Sequence, residues 1–220
     1  MRDDLDRQLD LLRHNVLAMG EQASTMLGDA LRAFADDDRA AADQVVEADR
    51  ALDRAYEQIQ HGILAVIALH GPVGHDLRLL TTMIHVSLHL ERMGDYAVNV
   101  ARTARRSSEQ TGDEDLTEQL VEMGELAREV GTAALESFAK VDLDLAREVG
   151  VRDDAVDRLN LGIFQRLVRL AAHDEQRLEW AASMIQLTRQ LERYADHGVD
   201  IAEQVHFLVT GQATEFSAND

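Results

Sequence analysis

With 220 residues, 45% of them hydrophobic, the chain can bury one large core or two of about 100 residues each, and it is not a disordered polypeptide. Aspartate plus glutamate outnumber lysine plus arginine by 41 to 22, for a net charge of −19, so most of the surface repels nucleic-acid phosphates and direct DNA or RNA binding is not expected. Cysteine is absent, which leaves carboxylate, amide and imidazole as ligands for any metal.

Only 4% of residues are aromatic and proline occurs once, while Ala, Leu, Asp, Glu and Arg dominate. That composition predicts an all-α fold. No apolar leader follows Met1-Arg2-Asp3-Asp4, and no uninterrupted apolar segment is long enough to span a bilayer, so a cytoplasmic protein is expected.

The first helix is predicted over residues 4–35, where Leu5, Leu9, Leu12, Val16, Met19, Ala23, Met26, Ala30 and Phe34 recur at three- and four-residue spacing. Asp36-Asp37-Asp38 stops it and supplies a cap for a second helix over 39–69. His70-Gly71-Pro72-Val73-Gly74 breaks that helix, and Pro72 is expected to open a third, running to about residue 106. Residues 107–113 read as polar linker.

The second half repeats the first. Met19-Gly20-Glu21 returns as Met123-Gly124-Glu125, an offset of 104 that also pairs Ala30-Leu31 with Ala134-Leu135 and Asp53-Arg54 with Asp157-Arg158. Beyond the second helix the offset falls to 101, so that Leu90-Glu91-Arg92 becomes Leu191-Glu192-Arg193. Self-similarity over a whole half implies a duplicated three-helix unit. The expected architecture is six long helices in two pseudo-symmetric antiparallel three-helix bundles, residues 1–108 and 113–212, with a tail at 213–220.

The chemistry sits on helices two and three of each half. Counting 100° per residue from Glu91, the side chains of Leu77, Leu80, Ile84, Leu88, Asp95 and Val98 point the same way to within about 60°, so the acids are expected to face the core. Helix two carries Asp49 and Asp53 at the same spacing, and the second copy repeats both pairs as Asp153 with Asp157 and Glu192 with Asp196. Asn99 and Asp200 lie one turn further along helix three. Unpaired buried carboxylates are costly, so something positive is needed beside them. One answer is a cation held by carboxylate oxygens, with Mg, Ca, Mn, Fe and Zn all suited; the other is a lattice with Arg54, Arg92, Arg158 and Arg193. A di-iron oxidase would add Glu-x-x-His on two helices, and only Glu203-Gln204-Val205-His206 supplies that string. His85, His89 and His197 show no ligand spacing and read as ordinary surface or interface residues. No nucleotide-cradling loop or serine elbow is present, so no catalytic residue is assigned.

Two stretches resemble a known family. Pro72-Val73-Gly74-His75-Asp76-Leu77-Arg78 is similar to the Pro-Val-x-x-Asp-Leu-Arg junction of the PhoU proteins, and Glu91-Arg92-Met93-Gly94-Asp95 followed by Asn99 is similar to their Glu-Arg-x-Gly-Asp-x-x-x-Asn signature. The resemblance implies a regulator of bacterial phosphate uptake that is not an enzyme. It further implies that the regulator represses the phosphate-starvation response by contacting a sensor histidine kinase and the ATPase of the phosphate ABC transporter, reaching the membrane only through those partners, as a homodimer. It also implies multinuclear iron or zinc clusters on Asp49, Asp53, Glu91, Asp95 and Asn99 in one half and on Asp153, Asp157, Glu192, Asp196 and Asp200 in the other, while the oxygen donors by themselves leave Mg or Mn possible. The second half departs from the pattern in lacking Gly-Pro, in Tyr194-Ala195 for Met93-Gly94 and in Arg189 for Leu88. The readings from other classes are a carboxylate-bridged di-iron metalloenzyme and a ligand-free structural or chaperone-like helical module.

Overall fold

The computed structural model describes residues 2–110 and 112–216, and among them every long element is a helix. The helices are α1 (Arg2–Ala35), α2 (Arg39–His70), α3 (His75–Ser107), α4 (Glu114–Lys140), α5 (Leu143–His173) and α6 (Leu178–Thr210), with a short 3-10 turn at Glu175–Arg177. The expected all-α pair of three-helix units is what forms. Of the tail at 213–220, residues 217–220 lie outside the described residues, as does Thr111 of the linker.

Helix ends are written locally, and twice. Asp38 caps α2 by accepting from the Ala40 and Ala41 backbone N–H groups, and Asp142, its repeat equivalent, caps α5 by accepting from Asp144 and Leu145. The residue before each cap is left-handed, Asp37 at φ 52° and Val141 at φ 53°. The same turn is built in both halves, although a β-branched side chain is strained there. The third helix begins later than the sequence suggests: Gly71 ends α2 in the left-handed region at φ 54°, and Gly74 at φ 60°, ψ −123° holds Pro72 and Val73 in the turn. The first bond of α3 is therefore Arg78 N–H to Gly74 O, at 3.1 Å.

The halves are not strung end to end. Helices α1, α3, α4 and α6 pack on one another as a central layer, with α2 lying outside against α1 and α3, and α5 outside against α4 and α6. Val16, Leu27, Leu80, Leu90, Leu120, Phe138, Leu187 and Leu191 fill it without exposure.

The repeated Met-Gly-Glu and Ala-Leu strings form the seam between halves. A Cβ on Gly20 would lie 2.5 Å from Leu135 Cδ1, and one on Gly124 would lie 2.3 Å from Leu31 Cδ2. Each leucine thus fills the hollow left by the other half's glycine, a reciprocal contact of the kind a two-fold axis produces. Leu31→Ala is expected to lower unfolding free energy by about 2–5 kcal/mol through the cavity left in this hollow, read from the urea midpoint with the m-value unchanged. Leu135→Ala should lose a comparable amount.

Candidate metal centre

Packing of α2 on α3 brings the first-half acids together. Gly94 permits the approach: a Cβ there would sit 2.1 Å from Leu52 Cδ2 and 3.9 Å from Asp49 Oδ1. Burial pushes the Asp49 carboxyl up, and Asp53 and Asp95 push it further against relief from Arg102. Burial likewise raises Glu91, reinforced by Asp95, Asp53 and Asp49 and opposed by Arg92. Four carboxylates on two helices therefore feel one another, which the sequence alone left open.

The second half repeats this arrangement more strongly. Burial raises Asp153 to about 7, with Asp157, Asp196, Asp154 and Glu192 adding repulsion. Asp196 rises to about 6, from burial first and then from Glu192, Asp157 and Asp200, while His197 opposes the rise. Asp153 and Asp196 line a cavity of about 460 Å³ shared with Tyr96, Arg193, His197, Asp200 and Phe216. Asp157 and Glu192 line a neighbouring cavity of about 400 Å³.

The acids lie at a different depth from the one expected. They do not enter the core: Asp53, Asp157 and Asp196 are exposed, and Asp49, Glu91, Asp95, Asp153 and Glu192 are half-buried in the grooves. Leu77 and Leu88 of the same stripe are 38% and 36% exposed. A helical wheel gives direction and not depth, and α2 and α5 cover only part of that face. For the same reason Arg189 in place of Leu88 changes little, since both positions are exposed.

Arginine answers part of the charge. Arg92 lies 3.1 Å from Asp95 and 3.5 Å from Glu91, whereas Arg54, Arg158 and Arg193 make no ion pair among the described residues. Glu91 Oε2 is closed off from solvent and, despite Arg92 Nε nearby, has no hydrogen-bond partner. An orphaned carboxylate oxygen in a groove with three other acids is by donor chemistry suited to a hard or borderline cation, although among the described residues the ligand atoms drawn close enough to share one ion are those of His89, His197 and Asp200.

Asn99 and Asp200 stand one turn beyond these pairs, and Asp200 shares the cavity of Asp153 and Asp196. Asn99 Nδ2 donates to Gln190 Oε1 at 3.2 Å, across the contact between α3 and α6. Asp200, its repeat equivalent, lies across the same contact against His89, whose repeat equivalent is Gln190. The two-fold relation is kept, but its two ends differ in chemistry. Around Asn99 and Gln190 is a cavity of about 350 Å³ bearing Arg102, Arg105 and Arg106, whereas around Asp200 the surroundings are acidic. The sequence reading missed His89 and His197, which stand on different halves; the available signal was His197-x-x-Asp200, one turn apart on α6.

Glu203 and His206 do not reach the acid grooves. Glu203 Oε1 accepts from Phe216 N–H at 2.8 Å, and His206 meets the Phe216 ring edge-on at 6.0 Å between centroids. They hold the chain that follows α6, so the single Glu-x-x-His string is a structural clasp.

Fold and grooves define a class: duplicated helical bundles whose paired helices present carboxylates in clefts. The family model described as PhoU domain matches residues 16–104 and 120–205. The chain is 27% identical over 217 residues to a phosphate-specific transport system accessory protein PhoU homolog of Clostridium acetobutylicum, covering 98% of this chain and 99% of that one. It is 32% identical to the homolog of the same description from Pseudomonas aeruginosa, over 93% of this chain and 84% of the other. The crystal structure of PhoU from Pseudomonas aeruginosa superposes with a TM-score of 0.90 at 31% identity, covering 94% of this chain and 99% of that one. The phosphate transport system regulatory protein PhoU from Streptococcus pneumoniae shares the fold, with a TM-score of 0.87 at 24% identity over 96% and 99%. The chain belongs to the PhoU family.

Proposed function

We propose that this chain is a metal-binding accessory protein of phosphate transport. In this reading it restrains phosphate uptake and the starvation response by contacting a sensor histidine kinase and the phosphate ABC-transporter ATPase. It works in the cytoplasm as a homodimer and without catalytic turnover. The observation that carries the reading is the solvent-closed Glu91 Oε2, which lacks a hydrogen bond in a groove with Asp49, Asp53 and Asp95, in a chain whose relatives are named transport accessory proteins. Asp49, Asp53, Glu91 and Asp95 would hold one metal group and Asp153, Asp157, Glu192 and Asp196 the other. Bound cations would neutralise grooves that otherwise repel themselves. Iron or zinc fits these oxygen donors, as do manganese and magnesium.

An adaptor also needs a face to offer. Leu161, Phe164 and Val168 are exposed along α5 at helical spacing, and α5 lies on the outside of the central layer, which supports docking through that helix. Among the described residues no helix is long and apolar enough to cross a membrane, consistent with recruitment through partners.

The test is co-purification of the ATPase and the kinase with the full chain, alongside elemental analysis of gently purified protein. Wild type is expected to retain both partners and to carry metal that falls on Asp95→Ala. Loss of both partners in a folded preparation would overturn the adaptor reading, and unchanged metal in the variant would overturn the ligand assignment.

A further inference from the structure

We propose that His89, His197 and Asp200 form a transition-metal site, of zinc type, beside the second-half acids, that ties α3 to α6 and so one half of the chain to the other. The proposal does not depend on the carboxylate grooves binding metal. His89 Nδ1 and His197 Nδ1 are 3.0 Å apart, His197 Nδ1 is 2.8 Å from Asp200 Oδ2, and His89 Nδ1 is 3.3 Å from that same oxygen. The rings belong to different halves, with centroids 5.1 Å apart, and Tyr96 stacks on His197 at 17° between planes.

Protons satisfy three heteroatoms this close only poorly. If both Nδ1 atoms carry hydrogen toward Asp200, the two N–H groups oppose each other at 3.0 Å; if only one does, a lone pair of the other faces the carboxylate oxygen. A cation removes the conflict, because all three atoms then turn lone pairs on one centre. The separations suit it: a point about 2.0–2.1 Å from each atom exists roughly 1 Å off their plane, the usual length of Zn–N and Zn–O bonds. Two imidazoles and one carboxylate favour zinc or ferrous iron over magnesium or calcium, which prefer all-oxygen shells.

The surroundings are built for a ligand set. His89 and His197 side chains are 17% and 20% exposed and Asp200 is 41% exposed, so the group is sheltered yet reachable. His197 and Asp200 also line the 460 Å³ cavity, which leaves space for water as a fourth ligand. At the other end of the seam the equivalent positions are Gln190, Tyr96 and Asn99, with no imidazole among them.

Those equivalents supply the controls. His89→Gln and His197→Tyr install residues that the same packing already accommodates across the pseudo-axis. Metal-free full-length protein is titrated with zinc chloride in a chelator buffer near neutral pH, and bound metal is counted by elemental analysis and examined by X-ray absorption. Wild type is expected to show imidazole scattering about 2.0 Å from zinc. His89→Gln/His197→Tyr should lose one equivalent and the imidazole signal, while Asp49→Asn/Asp53→Asn keeps that signal. His89→Gln alone should weaken this equivalent tenfold or more. Zinc in wild type with oxygen neighbours only, or an unchanged count and affinity in the folded double variant, would overturn the proposal; the wild-type spectrum decides even if a variant fails to fold.

Discussion

Saturating metal-free protein with zinc or manganese is expected to raise its melting temperature by about 5–10 °C, and Asp153→Asn is expected to abolish much of that rise while making the metal-free protein more stable. A cation at about 100 times its dissociation constant adds about 2.7 kcal/mol, and a domain of this size shifts by about 2–4 °C for each kcal/mol. The opposite effects of one substitution follow from the crowding of Asp153 by Asp157, Asp196, Asp154 and Glu192 in a partly buried groove. Folding forces these charges together, so deleting one relieves repulsion when no metal is present and removes a ligand when it is.

The pH dependence has a defined sign. Asp153 titrates near 3.8 in an unfolded chain and near 7 when folded, so between about pH 4 and 7 the folded state binds the extra proton. Stability of metal-free protein should therefore fall as pH rises through that window and level off above it. Asp196 acts in the same direction up to about pH 6. Urea denaturation of wild type and Asp153→Asn at pH 5 and 7.5 isolates the contribution of Asp153: the variant's advantage should grow with pH. A constant difference would show that the carboxylate does not feel its neighbours.

The second large effect lies at a helix crossing. A Cβ on Gly198 would meet Val130 Cγ1 at 3.0 Å and the Gly131 backbone at 3.2 Å for N and 3.3 Å for Cα. Backbone cannot swing aside as a leucine tip can, so α6 must move away from α4. Gly198→Leu is expected to cost about 3 kcal/mol or more, because overpacking of 1–3 kcal/mol is here joined by separation of two helices that share one core. Gly162 gives the contrast: it is exposed on α5, a Cβ there would touch nothing within 4 Å, and Gly162→Ala should stabilise by up to about 1 kcal/mol through helix propensity. Urea midpoints of the two variants should move in opposite directions.

Much of the fold was legible because it is written in local periodicity and written twice. Apolar spacing located the first three helices, the aspartate run before α2 marked its start, and the offsets of 104 and 101 carried the same unit into the second half. Pro72 misled because the positive-φ glycines on either side of Pro72-Val73 outweigh its preference for a first helical turn. The acid pairs were legible as pairs, since four-residue spacing fixes a shared helix face. Their depth was not, because it depends on how much of that face α2 or α5 covers. His89 and His197 were invisible as partners: 108 residues separate them, and only the crossing of α3 with α6 brings the rings together. Repeats show which positions correspond without showing which ones touch.

The reciprocal seam carries a consequence for descent. Gly20 with Leu135 and Gly124 with Leu31 are what two copies of a half-length polypeptide would make on meeting face to face. The two halves are arranged as the two copies of a homodimer would be, within one polypeptide. In such a dimer every crossing occurs twice, so a histidine at one end demands a histidine at the other. A single polypeptide carries no such constraint, and Gln190 and His89 differ.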